Sequence, residues 1–400
     1  MKRVAVLGAG IMGTATAVRL ARAGAAVTVF DAADEPCAAA SRWNEGKIHL
    51  GHLYAADPSL RTAARLLPGG LAFRREVEEL IDGLIAEAIA PEGDVYLVHR
   101  ASVVTADEAA RYYDAVTALA AAHPDAGAYL TPVTAPHAVR LSASELDALC
   151  DTSQIVAGFR VPERSVSTHW IADRLAAALT AAPRVTLRMR TVVRAVGMGP
   201  AGLDGALDVV TDAGADGPYD GVVNALWDGR LGIDATAGLC PPESWSHRYR
   251  VAVYLRTTTP VALPCAVIGT GPFGDIKNYN GRDLYLSWYP TGLVAQGHDV
   301  TPPQPPHLDT ATQDALADET ITRLSEVLPM LAGLPALVES RQVGGGWVYA
   351  TGRGPLDDRR STLHRRDQVG IHRHGRYVSV NTGKYSIAPS LARSVAALLT

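Results

Sequence analysis

Residues 8–13 read Gly8-Ala9-Gly10-Ile11-Met12-Gly13, a G-x-G-x-x-G. Glycines at this spacing suit a phosphate cradle. The first makes a tight turn, the second lets the backbone approach a pyrophosphate, and the third lets a helix pack closely on a sheet. The phosphate then rests on the helix N-terminus, where unpaired N–H groups and the helix dipole favour anions. Asp31 follows at roughly the 20-residue separation expected for a ribose-binding carboxylate, which would also repel a 2′-phosphate. These roles require a strand, a helix and a second strand. Arg3 to Leu7 is apolar and β-branched. Ile11, Ala15 and Val18 then lie on one side of a helix that Gly24 ends, and Ala26 to Phe30 makes the second strand. Gly269-Thr270-Gly271-Pro272-Phe273-Gly274 repeats the pattern, but Asp275 to Gly281 after it carries no helical stripe and ends in an Asn280-Gly281 turn. A loop between strands is expected there. A single dinucleotide site leaves no separate module to deliver NADPH.

Other reactive residue types fall into no known arrangement. Cys37, Cys150, Cys240 and Cys265 are too far apart for a zinc site or a disulfide framework, and read as reduced thiols. His372 and His374 share one face of a strand without a third ligand, so no metal is assigned. Gly-x-Ser-x-Gly and Walker patterns are absent. With 37 basic and 41 acidic side chains the net charge is −4, which offers no field for nucleic acid. The apolar run after Met1-Lys2-Arg3 is too short for a signal peptide, and no stretch could span a bilayer. A cytoplasmic protein is expected.

The 400 residues exceed one ordinary core and suggest two domains. Val77, Leu80, Ile81, Leu84 and Ile85 form a helical stripe. Residues 107–122, 169–181 and 309–328 are further helices. Short strands fill 184–226 and 248–290, and the chain closes as strand, His374-Gly375 turn, strand, glycine loop and helix.

The segment Ser41-Arg42-Trp43-Asn44-Glu45-Gly46-Lys47-Ile48-His49-Leu50-Gly51 resembles the D-amino-acid-oxidase superfamily of FAD enzymes. Its N-x-G-x-I-H-x-G stretch is most similar to L-2-hydroxyglutarate dehydrogenase and its relatives. In such enzymes this segment runs beneath the isoalloxazine ring and along the pyrophosphate. The resemblance therefore implies FAD contacts from Ser41, Arg42, Asn44, Gly46, Lys47 and Ile48. Thr191-Val192-Val193 is similar to the strand that reads the adenine, which implicates Val193. Tyr219 to Ala225 resembles the D-x-V-V-N-A strand near the pyrophosphate and implicates Asn224 and Ala225, although Leu226-Trp227 replaces the usual Ala-Gly. Val380 to Pro389 resembles the closing flavin loop and last helix. Gly383, Tyr385, Ser386 and Ile387 would touch the flavin there, with Lys384 and Tyr385 departing from the usual glycines.

The implied fold class is α/β, a Rossmann-type FAD-binding domain with an inserted antiparallel-sheet substrate domain. Residues 1–75, 150–235 and 340–400 would form the first, and 76–149 and 236–339 the second. The expected activity is oxidation of a C–H bond next to N or O in a small carboxylate-bearing substrate, with O2 or another carrier as electron acceptor. An NAD-dependent dehydrogenase and a non-catalytic flavin-binding regulatory protein are the alternatives. An alcohol substrate needs a base, and His49 is the candidate. Some relatives attach FAD covalently through a histidine in this region, at a spacing that differs by one residue. Arg353 is the candidate carboxylate anchor, with Lys384 beside the flavin. Arg250, Arg256 and Lys277 are alternatives on the substrate sheet, and Tyr254, Tyr279, Tyr285 and Tyr289 could line a pocket.

Overall fold

Arg3–Leu7, Ile11–Arg22 and Ala26–Phe30 form the strand, helix and strand that the fingerprint requires. The computed structural model describes residues 1–400. Around this opening a six-stranded sheet assembles from distant parts of the chain. Its order is Gly370–His374, Tyr377–Asn381, Gly221–Asn224, Arg3–Leu7, Ala26–Phe30 and Val185–Arg188. All pairings are parallel except that of the first two strands, which form a hairpin. Strands buried on both faces read as continuous apolar runs, and Val4 to Leu7 is 1 % exposed or less at every position. The helices Ile11–Arg22, Thr168–Ala181 and Ala388–Leu399 contribute to the core on this sheet. An antiparallel meander, Val193–Met198, Leu207–Thr211 and Gly214–Tyr219, caps the opposite side.

A second sheet of nine strands lies elsewhere in the chain's path. Trp245–Thr257 is its spine. One edge of this strand pairs along its full length with Val338–Thr351, and the other pairs first with Leu293–Gly297 and then with Asp283–Trp288. Gly274–Asn278, Ala266–Gly269, Val95–His99, Ile155–Arg160 and Val139–Arg140 continue it. The second G-x-G-x-x-G is the loop between Ala266–Gly269 and Gly274–Asn278, as expected, with no helix after it.

Three boundaries of the expected division shift. Ile155–Arg160 belongs to the nine-stranded sheet and not with the cofactor domain's 150–235, because it pairs with Val95–His99. Val338–Thr351 likewise stays in that sheet past residue 340. Conversely, the helix Arg61–Ile81 runs past residue 75 and buries Val77 and Leu80 in the core beneath the parallel sheet. It also ends earlier than its apolar stripe suggests. Asp82 adopts a left-handed conformation that closes the helix, leaving Leu84 outside at 71 % exposure. The strands Val95–His99 and Ile155–Arg160 were not foreseen, since apolar runs this short carry no period that separates strand from helix.

Candidate active site

The turn between the first strand and helix is shaped by contact as much as by backbone freedom. A Cβ on Gly13 would stand 1.8 Å from the carbonyl oxygen of Gly8, so the helix meets the turn with no room for a side chain. Gly8 itself has φ +97°, and a Cβ there would reach the Ala225 carbonyl at 2.8 Å. Gly10 caps the helix without a side-chain partner, and Ile11 donates its N–H to Ser41 Oγ at 2.9 Å. Asp31 accepts the N–H groups of Ala9 (2.6 Å) and Ala33 (2.8 Å). Each carboxylate oxygen keeps a lone pair for a ribose hydroxyl. Thr191 donates its N–H to the Asp31 carbonyl at 2.9 Å, which brings the Val193 strand alongside.

The segment 41–52 is braced from several sides. Gly46 donates its N–H to Asn44 Oδ1 (2.9 Å), closing a turn. Tyr254 and Tyr279 reach across from the nine-stranded sheet and donate to the carbonyls of Asn44 (2.9 Å) and Glu45 (3.2 Å). Glu163 is wholly buried and accepts three successive N–H groups, from Leu50 (2.6 Å), Gly51 (2.7 Å) and His52 (3.1 Å), and the Tyr96 hydroxyl at 2.5 Å. Burial opposes its charge, but the His52 ring, with His49 and Lys47 nearby, holds its carboxyl well below the usual range.

Two cavities meet on this segment. The first, of about 170 Å³, runs from the helix N-terminus at Gly10, Ile11 and Met12 past Ser41 and Asn44 to Gly383 and Tyr385. The second, of about 230 Å³, opens on the face of the nine-stranded sheet and holds Arg248, Arg250, Tyr285, Tyr289 and Arg366. Glu45, Lys47, Val348 and Lys384 line both, so they form the wall between them.

The pyrophosphate and ring end of a flavin dinucleotide suit the first cavity on observations of the chain itself. The glycine turn keeps its approach free of side chains. His49 Nδ1 and the Tyr385 hydroxyl, on residues that line this cavity, are buried polar atoms without a partner, and such atoms are costly unless a bound group satisfies them. Gly10, Ile11 and Ser41 would hold the pyrophosphate, Asp31 the ribose, and Lys47, Gly383 and Lys384 the ring end.

The second cavity is strongly cationic. No carboxylate oxygen comes within 4 Å of Arg248, Arg250, Arg366 or Lys384, whereas Arg256, outside the cavity, pairs with Asp283 at 2.6 Å. Arg248, only 5 % exposed, gives one N–H to the Tyr289 hydroxyl (2.9 Å) and leaves Nε and the other terminal nitrogen unpartnered. Arg250 bonds Ser287 Oγ at 2.7 Å and lies over the Tyr289 ring, 4.1 Å from its centre. Burial and the neighbouring Arg248 bring Arg366 down to about 10. Burial also brings Lys384 down to about 8, with Arg366 and Lys47 adding to the shift and Glu45 opposing it. Two carboxylates share the space. Burial raises Asp275. Burial would raise Glu45 too, but Lys384 and Lys47 overcome it and hold that group at about 2.

These placements revise several site assignments. His49 lines the first cavity, but burial and Lys384 push its imidazole down to about 3. It is therefore neutral and a feeble proton acceptor, against the general-base role. Arg353 lies outside both cavities. Its strand carries past the pocket, and its N–H bonds Thr362 Oγ1 at 2.8 Å on an exposed turn. Arg42 pairs with Asp173 on the helix Thr168–Ala181. The Asn224 side-chain nitrogen is taken up by the Arg230 carbonyl, Asp234 and Tyr377. Ile48 and Ile387 are packed in the apolar cores. Lys277 is buried against Asp94 at 2.6 Å. Nothing in the local sequence singles out Glu45, Arg248, Arg366 or Glu163. The one available signal was arginine alternating at 248 and 250 on a strand, the mark of one polar face.

Fold and site together define a dinucleotide-dependent oxidoreductase with a separate cationic pocket. The family model DAO, FAD dependent oxidoreductase, matches residues 3–398, and the chain belongs to that family. Its cofactor is FAD, and it is an oxidase or dehydrogenase. No curated protein matches the sequence. Among solved structures, glycine oxidase from Geobacillus kaustophilus is 18% identical with a TM-score of 0.69, covering 100% of this chain and 95% of its own. Iminodiacetate oxidase from Chelativorans sp. BNC1 is 15% identical with a TM-score of 0.67, covering 99% and 95%. L-alpha-glycerophosphate oxidase from Mycoplasma pneumoniae, with FAD bound, is 13% identical with a TM-score of 0.65, covering 100% and 95%. At these identities the likeness shows the fold. No helix is long and apolar enough to cross a membrane.

Proposed function

We propose that this enzyme oxidises an amino-acid-type substrate, an amine bearing a carboxylate, at the carbon next to nitrogen. The observation that carries this is Arg248 beside Arg366 in the second cavity, two half-buried or buried guanidiniums with no carboxylate partner. Guanidiniums so placed are stabilised by a bidentate carboxylate. Bound FAD supplies the two-electron acceptor that the oxidation requires.

The chain's residues then act on binding and on the proton. Arg248 and Arg366 receive the carboxylate, and Lys384 on the dividing wall adds its charge. Glu45 and Asp275 face the amine end. These carboxylates attract the ammonium form, while the surrounding cations ease loss of its proton to solvent, which gives the neutral amine, the reactive form. An amine needs no strong base, which agrees with the weak basicity of His49. Tyr285, Tyr289 and Phe273 give the rest of the pocket an apolar lining.

A second substrate class is favoured by one sequence feature. The N-x-G-x-I-H-x-G stretch ending at Gly51 is similar to that of L-2-hydroxyglutarate dehydrogenase relatives, which would make the substrate a 2-hydroxy acid. Anaerobic bleaching of the holoenzyme separates the two. Amino acids are expected to bleach the flavin. Bleaching by 2-hydroxy acids alone would replace the amine with an alcohol.

A further inference from the structure

The geometry points to a substrate with two anionic groups, one held by Arg248, Arg366 and Lys384 and the second by Arg250 across the ring of Tyr289. This rests on the proposed carboxylate-bearing amine and specifies its class: an amino acid with a second carboxylate.

Charge decides the first part. Five cationic side chains, Lys47, Arg248, Arg250, Arg366 and Lys384, line the pocket against two carboxylates, Glu45 and Asp275. Lys47 has an outside partner, Asp94, at 3.8 Å. The other four have none. A zwitterionic amino acid carries no net charge and would leave this excess unneutralised in a partly dry space, where unpaired charge is costly. An amino acid with two carboxylates brings a net negative charge and relieves it.

Position decides the second part. Arg248 and Arg250 stand two residues apart on one strand, so they project from the same face with Cα atoms roughly 6.5 Å apart. Tyr289 separates their heads. Its hydroxyl takes an N–H of Arg248, and its ring face carries Arg250. Arg250 still has Nε unpartnered. The pocket thus offers two cationic posts with a rigid aromatic spacer, and Arg366 and Lys384 gather at the first. The carboxylates of a four- or five-carbon diacid can address both at once.

The test is titration of the holoenzyme's flavin absorbance with carboxylate probes. Succinate and glutarate are expected to bind roughly ten- to a hundredfold more tightly than propionate and butyrate. Arg250→Met should reduce that ratio to near one while propionate binding persists, and Arg250→Lys should restore part of it. Equal binding of mono- and dicarboxylates by the wild type would overturn the second post and leave the amine proposal standing. An undiminished ratio in Arg250→Met, in protein that retains its flavin and melting temperature, would also overturn it. If no carboxylate of either kind perturbs the flavin, the carboxylate-bearing substrate itself is wrong.

Discussion

The glycine turn at residues 8–13 and the cationic face at residues 248–250 are the two ends of one site, built on opposite principles. The turn works by removing side chains, so that backbone N–H groups and a helix terminus meet the ligand directly. Its parts are contiguous in sequence. The cationic face works by adding side chains to a scaffold, and its parts come from strands and loops more than a hundred residues apart. The first is generic to dinucleotides. The second is where, in the proposed function, the substrate's carboxylate binds. At 13–18% identity the likeness to solved structures extends to the fold.

The largest expected effect attacks the turn. Gly10→Glu places a carboxylate where the pyrophosphate must lie, next to Ser41, and should abolish FAD binding, read as loss of visible flavin absorbance from folded protein. Retention of full flavin would show that the two ends are not functionally distinct. Arg248→Met should do the reverse, keeping FAD while kcat/KM falls roughly 30- to 1000-fold, from about 2–4 kcal/mol for unpairing a buried charge. An unchanged KM would remove Arg248 from substrate binding.

Smaller effects probe the wall between the cavities. Lys384 titrates at about 8, below its ordinary 10.5. For an anionic substrate, kcat/KM should therefore fall by about tenfold per pH unit at most above that point, as the lysine loses its charge. Lys384→Met should lack this limb. The stability of the apoprotein responds in the opposite sense. The unfolded chain holds the lysine's proton up to 10.5 and the folded chain releases it near 8. Between these values the unfolded state binds more protons, and this group's contribution makes the fold more stable as pH rises. Least affected should be His49→Asn. An imidazole held at about 3 gives little base catalysis, so flavin reduction should slow less than about tenfold. A loss of roughly 10²–10⁴ would reinstate His49 as the base.

The same contrast explains what the sequence disclosed. The strand, helix and second strand at the start were legible because their period and glycine spacing are local, and Asp31 followed from them. Gly383 and Tyr385 were reached through the resemblance of the closing loop, and both line the flavin cavity. Arg353 is the expected anchor and Arg250 an alternative, yet Arg250 lines the second cavity and Arg353 lines neither. Which arginine faces a pocket depends on how distant strands pair, and nothing local in a chain rich in arginine tells them apart. His49 was correctly placed beside the cavity, yet its basicity was invisible, since burial and Lys384 set it. The domain limits failed at Ile155–Arg160 and Val338–Thr351, where pairing partners far along the chain decide membership.

The parallel sheet draws Tyr377–Asn381 against Gly221–Asn224, which in turn flanks Arg3–Leu7. The strand that carries the glycine turn thus waits, during synthesis, for its neighbour Gly221–Asn224, made some 200 residues later, and that strand waits in turn for Tyr377–Asn381. Contacts this distant close slowly. Half-made chains would expose an apolar strand with unpaired edges, the kind of surface that invites aggregation or chaperones. Flavin uptake is then a late event in the life of each molecule.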